Sequence, residues 1–408
     1  MDARETPLDW LYGIQHFGIK LGLDGITRLL RELGVLYPRA NVVHVAGTNG
    51  KGSTCAIIES IARTAGYRTG LFTSPHLIDF RERIRICGEM IPAADLDRHI
   101  IRIREHIKDW DAPPTFFEIV LAIALLHFAE NETDLIILET GMGGRLDATN
   151  AIPKDVAVIT PIGIDHAQYL GSTLYAIGSE KAGITSWHRP VISAVQQPEA
   201  RRAIDEACAA MDTGVYYCEE PIPYTCNLPG AHQLENARMA VAALAELPGL
   251  LIEQRHIAEG LNNVQWPGRF EEIRPGIIMD GAHNPHAMHT LLDTWHATFG
   301  SRQATCIFAA SADKAVEENI SLLSPIVGEW ILPPVDSPRI LPPADAQTLI
   351  AATCTAPCTL AATLPEALRL AEQRLAEDSG PILICGSFFL LGEARAHLTG
   401  AAYRPTAQ

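Results

Sequence analysis

From Asn41 onward, short β-branched runs alternate with longer amphipathic stretches. Asn-Val-Val-His-Val-Ala (41–46) has the composition of a strand, and Gly-Thr-Asn-Gly-Lys-Gly (47–52) that of a turn. Ser53 to Arg63 then reads as a helix with Ile57 and Ile61 on one face, Gly66 stops it, and Thr69 to Phe72 returns as a strand. Residues 134–139, 155–160 and 190–194 continue the rule. Strands that alternate with helices predict a largely parallel sheet with helices on both faces, and ligands then bind at the carboxyl ends of the strands. The alternation pauses around Trp266-Pro267-Gly268-Arg269 and restarts with strands expected at 276–280, 304–310, 328–332 and 381–385. The expected division is therefore 1–268 and 269–408, the second part being a smaller α/β domain of about 140 residues, with the cleft between them as the site.

Composition narrows the function. A net charge of −16 argues against a nucleic-acid binder, which needs clustered Lys and Arg. An acidic chain that holds an anion must concentrate positive potential locally, at loops, helix ends or metal ions. The longest apolar run, Phe116 to Ala129, contains Glu118 and His127 and reads as a buried helix, not a membrane span. The start, Met-Asp-Ala-Arg-Glu-Thr-Pro, lacks the pattern of a signal peptide. Nine cysteines without a CxxC pair point to reduced thiols. The expectation is a cytoplasmic enzyme of more than one domain, monomeric, with no nucleic-acid or membrane partner.

The strongest chemical signal is the segment Gly47, Thr48, Asn49, Gly50, Lys51, Gly52, Ser53 and Thr54 between a strand and a helix. Backbone N–H groups in such a turn converge on phosphate oxygens; the helix N-terminus and Lys51 add positive potential, and Ser53 or Thr54 offers a hydroxyl to Mg²⁺. The strict P-loop pattern is not met, because Val45 stands at its first glycine and Gly52 follows Lys51. Glu139 ends an apolar strand and is placed to reach the same edge, directly or through water, as a metal-holding carboxylate. The loop after it, Thr140 to Asn150, has three glycines with Arg145 and Asp147, a composition suited to a ligand. His166 follows another strand and Asp280 another. On spacing alone His166 and Lys181 read equally as structural or surface residues, and Asp313-Lys314 and Gly386-Ser387 are ambiguous.

In order along the chain, these segments resemble the folylpolyglutamate synthase/dihydrofolate synthase family, within the Mur ligase group. The matching stretches are Phe17 to Leu23, His44 to Ser53, Thr73 to Leu77, Phe80 to Ile84, Thr115 to Glu118, Glu139 to Asn150, Asp165-His166, Glu180 to Gly183, His232 to Ala237, Gly268 to Phe270, Asp280 to Pro285 and Gly386-Ser387. The resemblance implies a P-loop-containing, Mur-ligase-like domain with a mostly parallel sheet, plus a smaller C-terminal Rossmann-like α/β domain. It also implies an ATP-dependent amide ligase, using Mg²⁺, that joins L-glutamate to dihydropteroate or a reduced folate through an acyl phosphate. In it Ser74, Glu139 and His166 match metal positions, beside the Ser53 hydroxyl read above, and Lys181 matches the lysine that is carbamylated in this group to become a carboxylate-like metal ligand. Lys51, Glu139, His166 and Lys181 are the implied catalytic set. Asn236, Arg269, Asp280 and His283 match the surroundings of ATP. Phe80, Arg83, Asp147 and Thr149 match the pterin side, and Lys314 and Ser387 the amino-acid side. The sequence departs from the pattern at Phe308 to Ala315, where alanines replace an expected glycine and aspartate, and the stretch 196–230 is shorter than in relatives. The alternative readings are a Mur-type ligase for another carboxylate, such as a specialised metabolite, and a nucleotide-binding regulatory module.

Overall fold

The computed structural model describes residues 6–14, 22–377 and 380–403; Phe17 to Leu21 of the first matching segment lie outside them. Among the described residues the strands form two sheets. The first holds β1 (Asn41–Ala46), β2 (Thr69–Phe72), β3 (Ile84–Ile86), β4 (Glu89–Met90), β5 (Leu135–Glu139), β6 (Val156–Ile159), β7 (Val191–Ser193) and β8 (Val215–Tyr217), in the order β4-β3-β2-β5-β1-β6-β7-β8. Neighbours from β2 to β8 are parallel, and β3 and β4 add an antiparallel edge. The second holds β9 (Glu271–Arg274), β10 (Ile277–Met279), β11 (Ala304–Phe308), β12 (Val327–Leu332), β13 (Cys358–Leu360) and β14 (Ile382–Cys385), in the order β13-β12-β11-β14-β10-β9. Only β9 runs antiparallel to its neighbour.

The central strands are apolar on both faces because both are covered. Val42, Ile136 and Leu138 pack with the helix Phe116–Glu130, while Val43, Val45, Ile137 and Val158 pack with the helix Lys51–Thr64. The helix Phe116–Glu130 is buried from Glu118 to Phe128, which accounts for its apolar run. Among the described residues no helix is long and apolar enough to cross a membrane.

Register then levels the strand ends. Val45 of β1 lies opposite Glu139 of β5, and Ala46 opposite Ile159 of β6. The loops after β1, β5 and β6 therefore leave the sheet together, on either side of the point where the chain reverses its direction of growth. In the second sheet Met279 pairs with Ile384 and Phe308 with Cys385, so its loops emerge together as well. The two crests touch: Asn49 Nδ2 donates to Asn284 Oδ1 at 3.2 Å and Lys314 Nζ to Asp165 Oδ1 at 2.6 Å.

Every expected strand is present within a residue or two at each end. The helix starts at Lys51 instead of Ser53, because Gly50 (φ 89°) turns the chain into it at once. The strands absent from the sequence reading are β3, β4, β8, β9 and β13. Each is two to four residues long and lies toward an edge, too short for alternation to register.

Candidate active site

Between the crests lies a cavity of about 1020 Å³, lined from both sheets. Its floor is the glycine turn. Gly47 has φ 146°, and a Cβ there would sit 1.8 Å from Thr160 Oγ1; at Gly50 a Cβ would meet Asn236 Oδ1 at 2.5 Å. Both positions require glycine because the backbone is left-handed and its neighbours press in. Thr48 Oγ1 exchanges hydrogen bonds of 3.0 Å with the carbonyl and N–H of Gly163, which tie this turn to the loop after β6. Lys51 Nζ curls back to the Thr48 carbonyl at 3.3 Å. Gly47 through Ser53 all line the cavity. Thr54 does not: it is fully buried and its hydroxyl has no partner, so an ATP contact from Thr54 has no support in this geometry.

Ser74, Glu139, His166 and Lys181 line the same cavity. Glu139 Oε2 accepts from the Ser74 N–H at 3.1 Å. Burial raises the Glu139 pKa, with Lys51 acting against it, so the carboxylate is desolvated beside a cation. Burial holds the His166 imidazole down to about 4, neutral and free to donate a lone pair at pH 7. Lys181 is buried, donates from Nζ to the Gly47 carbonyl at 2.7 Å, and is held down to about 7 by burial and then by Lys51. Among the described residues no three His, Cys, Asp or Glu side chains group into a metal cage. Magnesium needs none, since it is bound by one or two carboxylates plus substrate phosphates and water. Glu139 with the Ser53 and Ser74 hydroxyls and neutral His166 fits that mode.

The second sheet contributes Arg269, Asp280, His283, Lys314 and Ser387 to the lining. Asp280 accepts from the N–H groups of Ala282 and Phe270, each at 2.8 Å; burial raises its pKa and Arg269 opposes the rise. Arg269 lies 5.1 Å from the Phe388 ring centre. His283 Nδ1 lies 2.8 Å from the Gly281 carbonyl, Asn236 Nδ2 donates to Gln233 at 2.9 Å, and the Ser387 hydroxyl caps the last helix through the Phe389 N–H at 3.1 Å.

Facing this wall from the loop after β6 of the first sheet is Asp165, a residue to which sequence reasoning attached no role. It takes Lys314 Nζ at 2.6 Å and Asn284 Nδ2 at 3.0 Å, with His283 Nε2 3.7 Å away. These donors hold its carboxyl well below the usual range despite burial. Its signal was only its place beside His166 after a strand.

The remaining face is aromatic. Arg83, Phe116, Phe117 and Asp147 line it. Phe116 and Phe117 stand out in the sequence only as the start of the apolar run and as part of a matching segment, with no role attached. The Asp147 carboxylate accepts from the N–H groups of Gly141 (2.8 Å), Met142 (2.9 Å) and Thr149 (3.0 Å) and from the Thr149 hydroxyl (2.6 Å), so it shapes the glycine loop. Phe80 and Thr149 stand behind the lining. Phe80 packs edge-on against Tyr12 and Phe116, and Thr149 is fully buried between Asp147 and His44 Nε2, 2.7 Å away. Direct substrate contact from these two has no support here; they act through Phe116 and Asp147.

Comparison with known proteins agrees with this arrangement. Residues 45–211 match the Mur ligase middle domain and residues 268–388 the Mur ligase glutamate ligase domain. The dihydrofolate synthase/folylpolyglutamate synthase of Bacillus subtilis is 35% identical over 358 residues, covering 79% of this chain and 83% of that protein. The structure of E. coli FolC in complex with DHPP and ADP superposes with a TM-score of 0.87 at 29% identity, over 98% of this chain and 99% of the other. A bifunctional folylpolyglutamate synthase/dihydrofolate synthase with Mn, AMPPNP and L-glutamate bound gives 0.86 at 30% identity, over 98% and 99%. By these matches the chain belongs to the folylpolyglutamate synthase/dihydrofolate synthase family of Mur ligases.

Proposed function

We propose that this chain is an ATP-dependent ligase that joins the amine of L-glutamate to the carboxylate of dihydropteroate or a reduced folate, releasing ADP and phosphate. One observation carries the reading. The phosphate turn with Lys51, the Glu139–Ser74 pair, the aromatic face of Phe116 and Phe117, and the cations of the second sheet all open into one cavity. A carboxylate oxygen attacks the γ-phosphorus of ATP, the bond to the bridging oxygen breaks, and ADP leaves with the electron pair. The glutamate nitrogen, as free amine, then attacks the carbonyl carbon of the acyl phosphate; the carbon–oxygen bond to phosphate breaks and the nitrogen loses its proton. Lys51 and the turn N–H groups hold the transferring phosphoryl group. Asn236, Arg269, Asp280 and His283 hold the nucleotide from the other side, and Lys314 and Ser387 face the amino acid. The two crests together exclude water from the anhydride. A magnesium ion held by Glu139, His166 and the serine hydroxyls supplies neutralisation of phosphate charge when bound. The ADP, DHPP, AMPPNP, Mn and L-glutamate bound by the structural neighbours support the same assignment.

We further divide the chain at 268/269, since Trp266 packs on the core of the first sheet and Phe270 belongs to that of the second. We read the working form as a cytoplasmic monomer.

Mg-ATP and L-glutamate with dihydropteroate in one tube and tetrahydrofolate in another test the function, by mass spectrometry for one added glutamyl unit and by ADP counting. Product in both identifies a bifunctional ligase and product in one names the activity. ATP binding without either product overturns the folate reading in favour of another carboxylate.

Lys181 carries a second expectation. Held down to about 7, it is about half free amine at neutral pH, the form whose nitrogen adds to CO₂ and loses a proton to become a carbamate. The amine fraction rises with pH through that value. Carbamate formation also releases a proton, so at fixed, limiting dissolved CO₂ the rate is expected to climb by more than about tenfold from pH 6 to pH 8. Purging CO₂ should lower the rate and restoring it should recover it, while Lys181→Arg should not respond. A wild-type rate indifferent to CO₂ removal would exclude the carbamate.

A further inference from the structure

Arg83 closes the short turn Phe80–Arg83 and leads into β3. Its carbonyl accepts from the Thr73 N–H at 3.1 Å, which pins it beside the Ser74 loop. The side chain is 3% exposed, yet it lines the cavity. Its Nε donates to His76 Nδ1 at 2.8 Å. Because Nδ1 accepts this bond it carries no proton, so His76 is a neutral acceptor and offers no charge in return.

No carboxylate lies within ion-pair distance of Arg83 among the described residues. Glu82 is taken by the N–H groups of Leu77, Ile78 and Asp79, and Asp79 pairs with Arg81. Among the other cavity cations, Lys314 holds Asp165 and Arg145 holds Glu180, while Lys51 and Lys181 each bond to a backbone carbonyl. Burial lowers the Arg83 pKa only to about 10, with Tyr12, Glu139 and Glu82 acting against it from beyond ion-pair distance, so the group stays charged at neutral pH. A buried guanidinium that keeps its charge without a protein anion is costly unless a ligand completes it. The rings of Phe80 and Phe116, 5.9 and 5.7 Å from its central carbon, hold it in place.

We propose that Arg83 is the carboxylate clamp of the acyl subsite, its two terminal nitrogens gripping the substrate carboxylate that is to be phosphorylated. The proposal rests on the ligase reading above. The planar fork of a guanidinium matches a planar carboxylate. Its guanidinium stands 5.7 Å from the Phe116 ring and within electrostatic reach of Glu139, so an aromatic acid stacked on that wall would bring its carboxylate to Arg83. Pairing there removes the repulsion between two anions that must meet.

The test measures binding, in the presence of ADP, of dihydropteroate and of its decarboxylated analogue, which keeps the pterin and the ring. Wild-type protein is expected to prefer the carboxylate by about 100-fold. Arg83→Met should bind the two alike, and Arg83→Lys should keep a reduced preference, with ADP affinity unchanged in both. Melting in the presence of ADP reports folding; if the methionine variant does not fold, the lysine variant carries the test through its reduced preference. Variants that retain the wild-type preference overturn the clamp. Wild-type protein that binds ADP but neither probe overturns the folate reading instead.

Discussion

Lys51→Met is expected to lower kcat by about a thousandfold while leaving the fold intact. Lys51 is half-buried in the first turn of its helix and bonds only to the Thr48 carbonyl, so its removal breaks little structure. It is nevertheless the leading charge acting on buried Glu139 and lies in the turn that receives the phosphates. As the phosphoryl group transfers, negative charge spreads over its oxygens, and a preorganised cation is worth most at that moment. ATP affinity should change much less than kcat, because the turn N–H groups remain. Single-turnover formation of the acyl phosphate, followed by rapid quench, is the measurement. A variant within tenfold of wild type would remove Lys51 from the chemistry.

Gly47→Ala should have the largest effect on stability. The new Cβ would lie 1.8 Å from Thr160 Oγ1 at a φ of 146°. Overpacking and strain together cost roughly 3 kcal/mol, a fall in apparent melting temperature of about 5 to 10 °C for the unit that unfolds. Function should fail with it, because the Gly47 carbonyl is the partner of Lys181 Nζ. Thr160→Ala in the same chain removes the nearest atom and should recover part of the loss, the backbone strain remaining. Gly214→Ala, with no atom within 4 Å of the added methyl, is the control and should be neutral. Equal melting of Gly47→Ala and Gly214→Ala would show that the turn yields more easily than its geometry implies.

Legibility in the sequence followed distance along the chain. The strand–turn–helix from Asn41 to Thr64 could be read because its signals are local: β-branched residues, glycines and a 3.6-residue period. Thr54, Phe80 and Thr149 show the limit. They lie in the right segments, but a motif orders residues in one dimension and cannot say which side of the turn faces the ligand. Thr54 is one residue beyond Ser53, about 100° further round the helix, and that rotation turns it into the core. Asp165 shows the same limit from the other side: its partners Asn284 and Lys314 lie 119 and 149 residues away, so nothing nearby announced its role.

By itself the sequence determined two α/β sheets, the phosphate turn with its indispensable glycines, and the lineage of the chain, because periodicity and left-handed backbone needs are written residue by residue. Tertiary structure decided which candidates share a cavity, which carboxylates are already occupied, and that Arg83 is a buried cation without a protein anion. Parallel register, by bringing the ends of β5, β1 and β6 level, makes neighbours of groups far apart in sequence, and burial then sets their charge.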